Sequence, residues 1–145
     1  THSGRYLALI DPPWLLQAAA LVQQGIVLER TWIVHTPGPQ AALWAAEQTL
    51  RCPAVGAALT WPAPLLADKS IRRLQLAAEA GGSLGILYRP PRTALQASPA
   101  ALRLRLQAAP DGGLSIEIHK ARGGSLSSRR HCILTLHSPA ASQAA

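Results

Sequence analysis

The chain opens on an uninterrupted apolar run, Tyr6-Leu7-Ala8-Leu9-Ile10, closed by Asp11-Pro12-Pro13. A continuous run of this length suits a strand buried on both faces, as in a parallel sheet. Pro12 and Pro13 donate no backbone hydrogen bond, so a loop must follow. Leu15 to Gln24 then reads as a helix stopped by Gly25, and Thr31 to His35 as a second strand ended by Thr36-Pro37-Gly38-Pro39. Ala41 to Arg51 consists mostly of strong helix formers, with Leu43, Ala46 and Leu50 spaced to share one face. Ala54 to Trp61 is strand-like. Asp68 is expected to cap a helix that runs to Ala80 and ends at Gly81-Gly82, and Leu84 to Tyr88 supplies a fourth strand. Strands and helices alternate throughout, and right-handed crossovers turn such an alternation into a parallel sheet with helices on its faces.

The period changes after Pro91. Leu102, Leu104 and Leu106 alternate with Arg103, Arg105 and Gln107, and Leu114, Ile116 and Ile118 alternate with Ser115, Glu117 and His119. With Pro110-Asp111-Gly112-Gly113 between them, this predicts an antiparallel hairpin with one polar face. A third short strand, Cys132 to Leu136, is expected after a loop spanning Arg122 to Arg130. The picture is one domain over residues 1–137 with a frayed tail over 138–145.

Composition supports a packed core: 145 residues, 48% hydrophobic and 14% charged, are enough for one domain. Polar residues interrupt every apolar run before the roughly 18 residues a membrane span needs, so a soluble protein with no membrane partner is expected. Cys52 and Cys132 are isolated from each other and fit neither a disulfide framework nor a zinc site, which points to a reducing cytoplasm. The start at Thr1, without Met or a basic-then-apolar leader, predicts no signal peptide and a segment preceding Thr1. Charge is lopsided. Residues 1–68 hold three basic against four acidic residues, and the remainder eleven against three. The basic half invites an acidic partner, either a protein surface or nucleic acid.

The Arg5-aromatic entry to the first strand, then Asp11-Pro12-Pro13-Trp14, Gly25, Leu28 and Arg30, resembles the central region of SulA proteins. The resemblance continues through Ala41–Arg51, the strand ending at Trp61, the helix carrying Arg72 to Gly82, and Arg89-Pro90, where it is shared with ImuA proteins; it covers roughly residues 5–92. Ser98 to Leu104 and Leu114 to Gly124 look more like ImuA. The SulA resemblance implies a RecA-like α/β core. It further implies a DNA-damage-induced inhibitor that binds the polymerisation face of FtsZ and blocks both filament assembly and GTPase turnover by sequestration. ImuA instead implies an accessory role beside translesion polymerase subunits. Arg5, Ile10 and Arg30 match positions where SulA function depends on a basic, an apolar and a basic residue. A Trp that many SulA proteins carry in the first helix corresponds to Ala20, and Trp14 is the aromatic that can replace it. The expected partner contacts are therefore Arg5, Ile10, Trp14, Leu15 and Arg30; a homodimer is plausible.

A RecA-like core raises the question of nucleotide hydrolysis, but Lys69 and Lys120 both lie outside any GxxxxGK[ST] turn, so no P-loop, cofactor or enzymatic activity is expected. Gly81-Gly82-Ser83-Leu84-Gly85 fits GxSxG. Its serine, however, falls on a helix-to-strand turn rather than the strand-to-helix turn of a nucleophile elbow, so the glycines read as a helix stop. Five histidines, His35, His119 and His131 among them, share no ligand spacing, and no metal is expected. Arg72, Arg73 and Glu79 read as a solvated helix face, whereas Trp14 divides evenly between core and interface. Lys120, Arg122, Arg129 and Arg130 surround Gly123-Gly124 and could contact phosphates or an acidic partner. No Phe, Tyr or Trp occurs after Tyr88 to stack bases, so specific nucleic-acid recognition is not expected.

Overall fold

A computed structural model describes residues 4–94, 96–110, 113–123 and 131–134. The chain divides into two compact units, Thr1–Ser98 and Pro99–Ala145.

In the first unit, strands β1 (Tyr6–Ile10), β2 (Thr31–Val34), β3 (Val55–Thr60) and β4 (Leu84–Leu87) form a parallel sheet in the order β2-β1-β3-β4. Helices α1 (Ala18–Gln23), α2 (Pro39–Arg51) and α3 (Asp68–Gly81) supply the crossovers. Ala8, Ile10 and Ala58 meet Ala42, Ala46 and Leu50 of α2 and Leu74 and Ala77 of α3. Most of these side chains are small, which lets α2 and α3 lie close to the strands and to each other. One contact demands glycine: a Cβ on Gly81 would sit 2.0 Å from the Leu50 carbonyl oxygen, where the ends of α2 and α3 cross. Gly82 then stops α3 in the left-handed conformation at φ 59°. Leu7, Leu9, Ile33, Leu59, Leu84 and Ile86 alternate with the core residues and so belong to the opposite face of the sheet.

Three sequence expectations need correction. Helix α1 begins at Ala18 rather than Leu15, and it buries none of its residues. Leu15 and Leu16 read as its first residues because their apolar character resembles a helix face. Gln17, however, is extended and offers no side-chain cap, so the chain leaving Pro13 becomes helical only over Ala18-Ala19-Ala20. Asp68 is not the cap of α3. Ala67 holds that position, and Asp68 lies in the first turn, where its charge suits the positive end of the helix dipole. Pro39 extends α2 to an earlier start, its missing N–H costing nothing in the first turn.

The second unit is a three-stranded antiparallel sheet, β5 (Leu102–Ala108), β6 (Leu114–Ala121) and β7 (His131–Leu134), in that order. Leu104 lies opposite Ile118, Leu106 opposite Ile116 and Arg105 opposite Glu117. A register shift between Arg103 and Leu104 leaves His119 as the extra residue of β6, which keeps Lys120 opposite Arg103 on the polar face. Asp111, Gly112, the loop residues 124–130 and the tail 138–145 lie outside the described residues, as do residues 135 and 136 of the third strand. No described helix is long and apolar enough to cross a membrane.

Candidate functional site

The five expected partner contacts do not converge. Arg5 and Arg30 precede β1 and β2, at the amino edge of the parallel sheet, whereas Trp14 and Leu15 follow β1 at the carboxyl edge. The length of β1 alone separates these edges by roughly 16 Å. Ile10 lies in neither group. It is 0% exposed in the core beneath α2, and cannot touch a partner while the unit is folded. Its expected contact is therefore reassigned to packing, because the last residue of a central strand points into the helix layer.

Arg5 is occupied within the fold. Its guanidinium donates to the Gly82 carbonyl at 2.7 Å, to the Gly81 carbonyl at 3.0 Å and to the Val55 carbonyl. The end of α3 presents unpaired carbonyls and the negative end of a helix dipole, so a cation is favourable there. Arg5 thus ties the entry of β1 to the entry of β3 and the exit of α3. Ser83 belongs to the same junction, its hydroxyl donating to the Leu50 carbonyl at 2.8 Å. That bond accounts for the serine of the GxSxG sequence without nucleophilic chemistry.

Arg30 keeps an exposed side chain while donating to the Gly4 carbonyl. It lies 5.8 Å from the centre of the Tyr6 ring, and Tyr6 stacks on Trp32 at 4.5 Å. Arg30, Tyr6 and Trp32 therefore form one layered cluster at the β2 border, with Trp32 43% exposed. Tyr6 and Trp32 escaped sequence reading because each sits in a strand whose apolar character was explained by burial. A pairing between single residues on two separate strands carries no local signal.

The carboxyl edge is built differently. Asp11 adopts φ 51°, an uncommon left-handed conformation that aspartate tolerates better than most residues. Its carboxylate accepts from the Thr36 backbone N–H at 2.8 Å and from the Thr36 hydroxyl at 2.6 Å, fastening the β1 exit to the β2 exit. With its carboxylate spent on Thr36 and prolines at the next two positions, this loop offers a phosphate group repulsion rather than a nest of amides. On the neighbouring strands Trp61 stacks on Tyr88 at 4.8 Å, and Arg89 donates to the Pro64 carbonyl at 3.1 Å and to Gln96 at 3.0 Å. From this braced rim Trp14 stands 72% exposed, Leu15 99% and Leu65, after β3, 84%. Leu65 joins the candidate surface only through the topology that puts the β1 and β3 exits side by side. Trp44, on the outer side of α2, is also exposed.

Arg73 and Glu79 are less free than a solvated face would have them. Glu47, buried in α2, accepts from Arg51 at 3.0 Å and from Arg73 of α3. The hydrogen bond from Arg51 in particular, with that from Arg73, holds its carboxyl below the ordinary glutamate range although burial pushes the other way. Gln75 donates to Glu79 at 2.8 Å and accepts from Arg72 at 2.9 Å.

In the second unit Arg122 is exposed and its side chain reaches the Pro99 carbonyl at 3.4 Å, while Lys120 sits half-buried on β6. Arg129 and Arg130 fall outside the described residues, so the basic cluster is placed only in half.

No family model and no curated protein matches the sequence. Among solved structures, SulA from Pseudomonas aeruginosa is similar to this chain at 28% identity and a TM-score of 0.53, covering 59% of this chain and 71% of that one. With its four-stranded parallel sheet and helices and a separate three-stranded antiparallel sheet, the chain has a SulA-like α/β fold.

Proposed function

We propose that this chain is a cell-division inhibitor that binds FtsZ at its polymerisation face and stops filament assembly and GTPase turnover by sequestration, in the cytoplasm and under control of the DNA-damage response. The structural likeness to SulA carries this reading. It requires a surface that binds protein rather than a pocket that performs chemistry. The carboxyl edge supports that requirement, because Trp14 and Leu15 are adjacent, large, apolar and exposed, and the fold beneath them makes no use of their side chains. Tryptophan is enriched among residues that dominate interface energetics, and a rim braced by prolines loses little freedom when it docks.

In this scheme Trp14 and Leu15 are the apolar anchors, with Leu65 beside them. Arg30 and Trp32 offer a second contact on the β2 border. Arg5 serves the inhibitor indirectly, by holding the fold. Titrating FtsZ from the same organism with this protein tests the reading. Sedimented polymer and GTP turnover are both expected to fall towards zero near one inhibitor per FtsZ. Unchanged turnover at several-fold excess overturns it.

The second reading, an accessory protein of a translesion synthesis complex, draws support from the compactness of the unit Pro99–Ala145 and the basic strand β5. Deleting that unit separates the two readings: FtsZ inhibition should survive under the first, and polymerase-subunit binding should be lost under the second.

A further inference from the structure

β5 forms one border of the antiparallel sheet, with β6 as its pairing strand. Its residues from Leu104 to Ala108 are all exposed, Leu104 and Leu106 at 46% and 44%. Seven residues are a long border for so small a sheet, and exposed strand edges are templates for further pairing. Leu102, Leu104 and Leu106 lie on one face, and Arg103 and Arg105 on the other. Over Leu104–Leu106 the inner neighbour shows which sequence complements this border: across from Leu106-Arg105-Leu104 stands Ile116-Glu117-Ile118, apolar against apolar and acid against base, whereas Arg103 faces Lys120 beyond the register shift.

A second copy of β5 fits poorly. Any antiparallel pairing of two β5 strands that keeps the leucines on one face sets arginine beside arginine or glutamine, and like charges directly opposite are destabilising. The whole unit is basic, with six Lys and Arg against two acids. Arginines on an edge therefore discourage self-pairing, yet they favour a strand of the opposite charge.

We propose that the outer border of β5 receives an extended protein segment in which acidic and β-branched residues alternate, added to the sheet as a fourth strand. Main-chain hydrogen bonds would supply affinity, and the Arg105 face would select the acidic partner. This surface is independent of Trp14 and Leu15 and does not rest on the FtsZ reading.

The test uses the full 145-residue chain and a fluorescein-labelled peptide, Thr-Val-Glu-Val-Glu-Val-Thr, with a second peptide in which both Glu are Lys. Saturable anisotropy change with the acidic peptide is expected, together with slowed amide exchange over Leu104–Ala108. The lysine peptide should bind about ten-fold more weakly. Arg105→Glu should reverse the preference, binding the lysine peptide better than the acidic one; because a gain is read, loss of folding cannot imitate it. Absence of binding by the acidic peptide overturns the proposal. So does binding without protection of β5, equal binding of the two peptides, or an Arg105→Glu variant that keeps the original preference. Displacement of the bound acidic peptide by unlabelled oligothymidylate would mean that the border serves nucleic acid instead, and would also overturn it.

Discussion

The two edges of the parallel sheet use similar materials for opposite purposes. At the amino edge, Arg5 directs its guanidinium to three backbone carbonyls, and Gly81 admits the Leu50 carbonyl where no side chain would fit. At the carboxyl edge, Asp11, Arg89 and a series of prolines brace the loops and leave Trp14, Leu15 and Leu65 outside. A charged residue near a strand end is therefore no guide to a binding surface. What distinguishes the edges is whether the polar groups are consumed internally.

The largest effect should come from Gly81→Ala, at the amino edge. Its new methyl group would collide with backbone, which cannot move aside as a side chain can, so a loss of about 3 kcal/mol or more in urea unfolding is expected. A parent-like midpoint would show that the α2–α3 crossing is looser than described. Next, the double variant Trp14→Ala, Leu15→Ala should unfold within about 0.5 kcal/mol of the parent. Its inhibition of FtsZ should weaken by about 2 kcal/mol or more, read as a shift in the inhibitor concentration that halves GTP turnover. Loss of stability without loss of inhibition would reverse the assignment of the carboxyl edge.

Arg5→Ala sharpens the comparison from the other side. Removing three hydrogen bonds, two to carbonyls at the end of α3 and one to Val55 of β3, should cost about 2 kcal/mol of stability, with Arg5→Lys recovering only part because it lacks the planar fork. At a temperature where Arg5→Ala is folded by circular dichroism, it should still inhibit FtsZ. A folded but inactive variant would return Arg5 to the interface. The smallest effect concerns pH. Because Glu47 has a lowered pKa in the folded state, its contribution to stability is present above the ordinary value of 4.5 and is lost as pH falls through the folded value. Glu47→Gln should flatten the acid limb of the stability profile measured by urea unfolding; an unchanged acid limb would remove Glu47 from that dependence.

Much of the backbone was legible before the structure. β1 spans Tyr6–Ile10 as the apolar run predicted, and Gly25 and Gly82 stop helices in left-handed conformations. The alternation of Leu and Arg in β5 announced an antiparallel strand. Sequence reading went astray at Leu15-Leu16, where apolar residues suggested a helix face and instead belong to the loop before α1, with Leu15 exposed. The resemblance also named Ile10 a partner contact, although the apolar run already read as a buried strand and Ile10 is 0% exposed.

These outcomes divide along a physical line. Local preference and the spacing of apolar residues determined the strands, the helix stops and the change from parallel to antiparallel pairing, since each depends on neighbours within a few positions. Only the tertiary structure decided the fate of Arg5, whose hydrogen-bond partners lie 50 to 77 residues away, and the union of Arg30, Tyr6 and Trp32 across two strands. A guanidinium or an indole has the same composition whether it is spent inside the fold or left on its surface, and the difference is made by the distant carbonyls and rings that folding brings within reach.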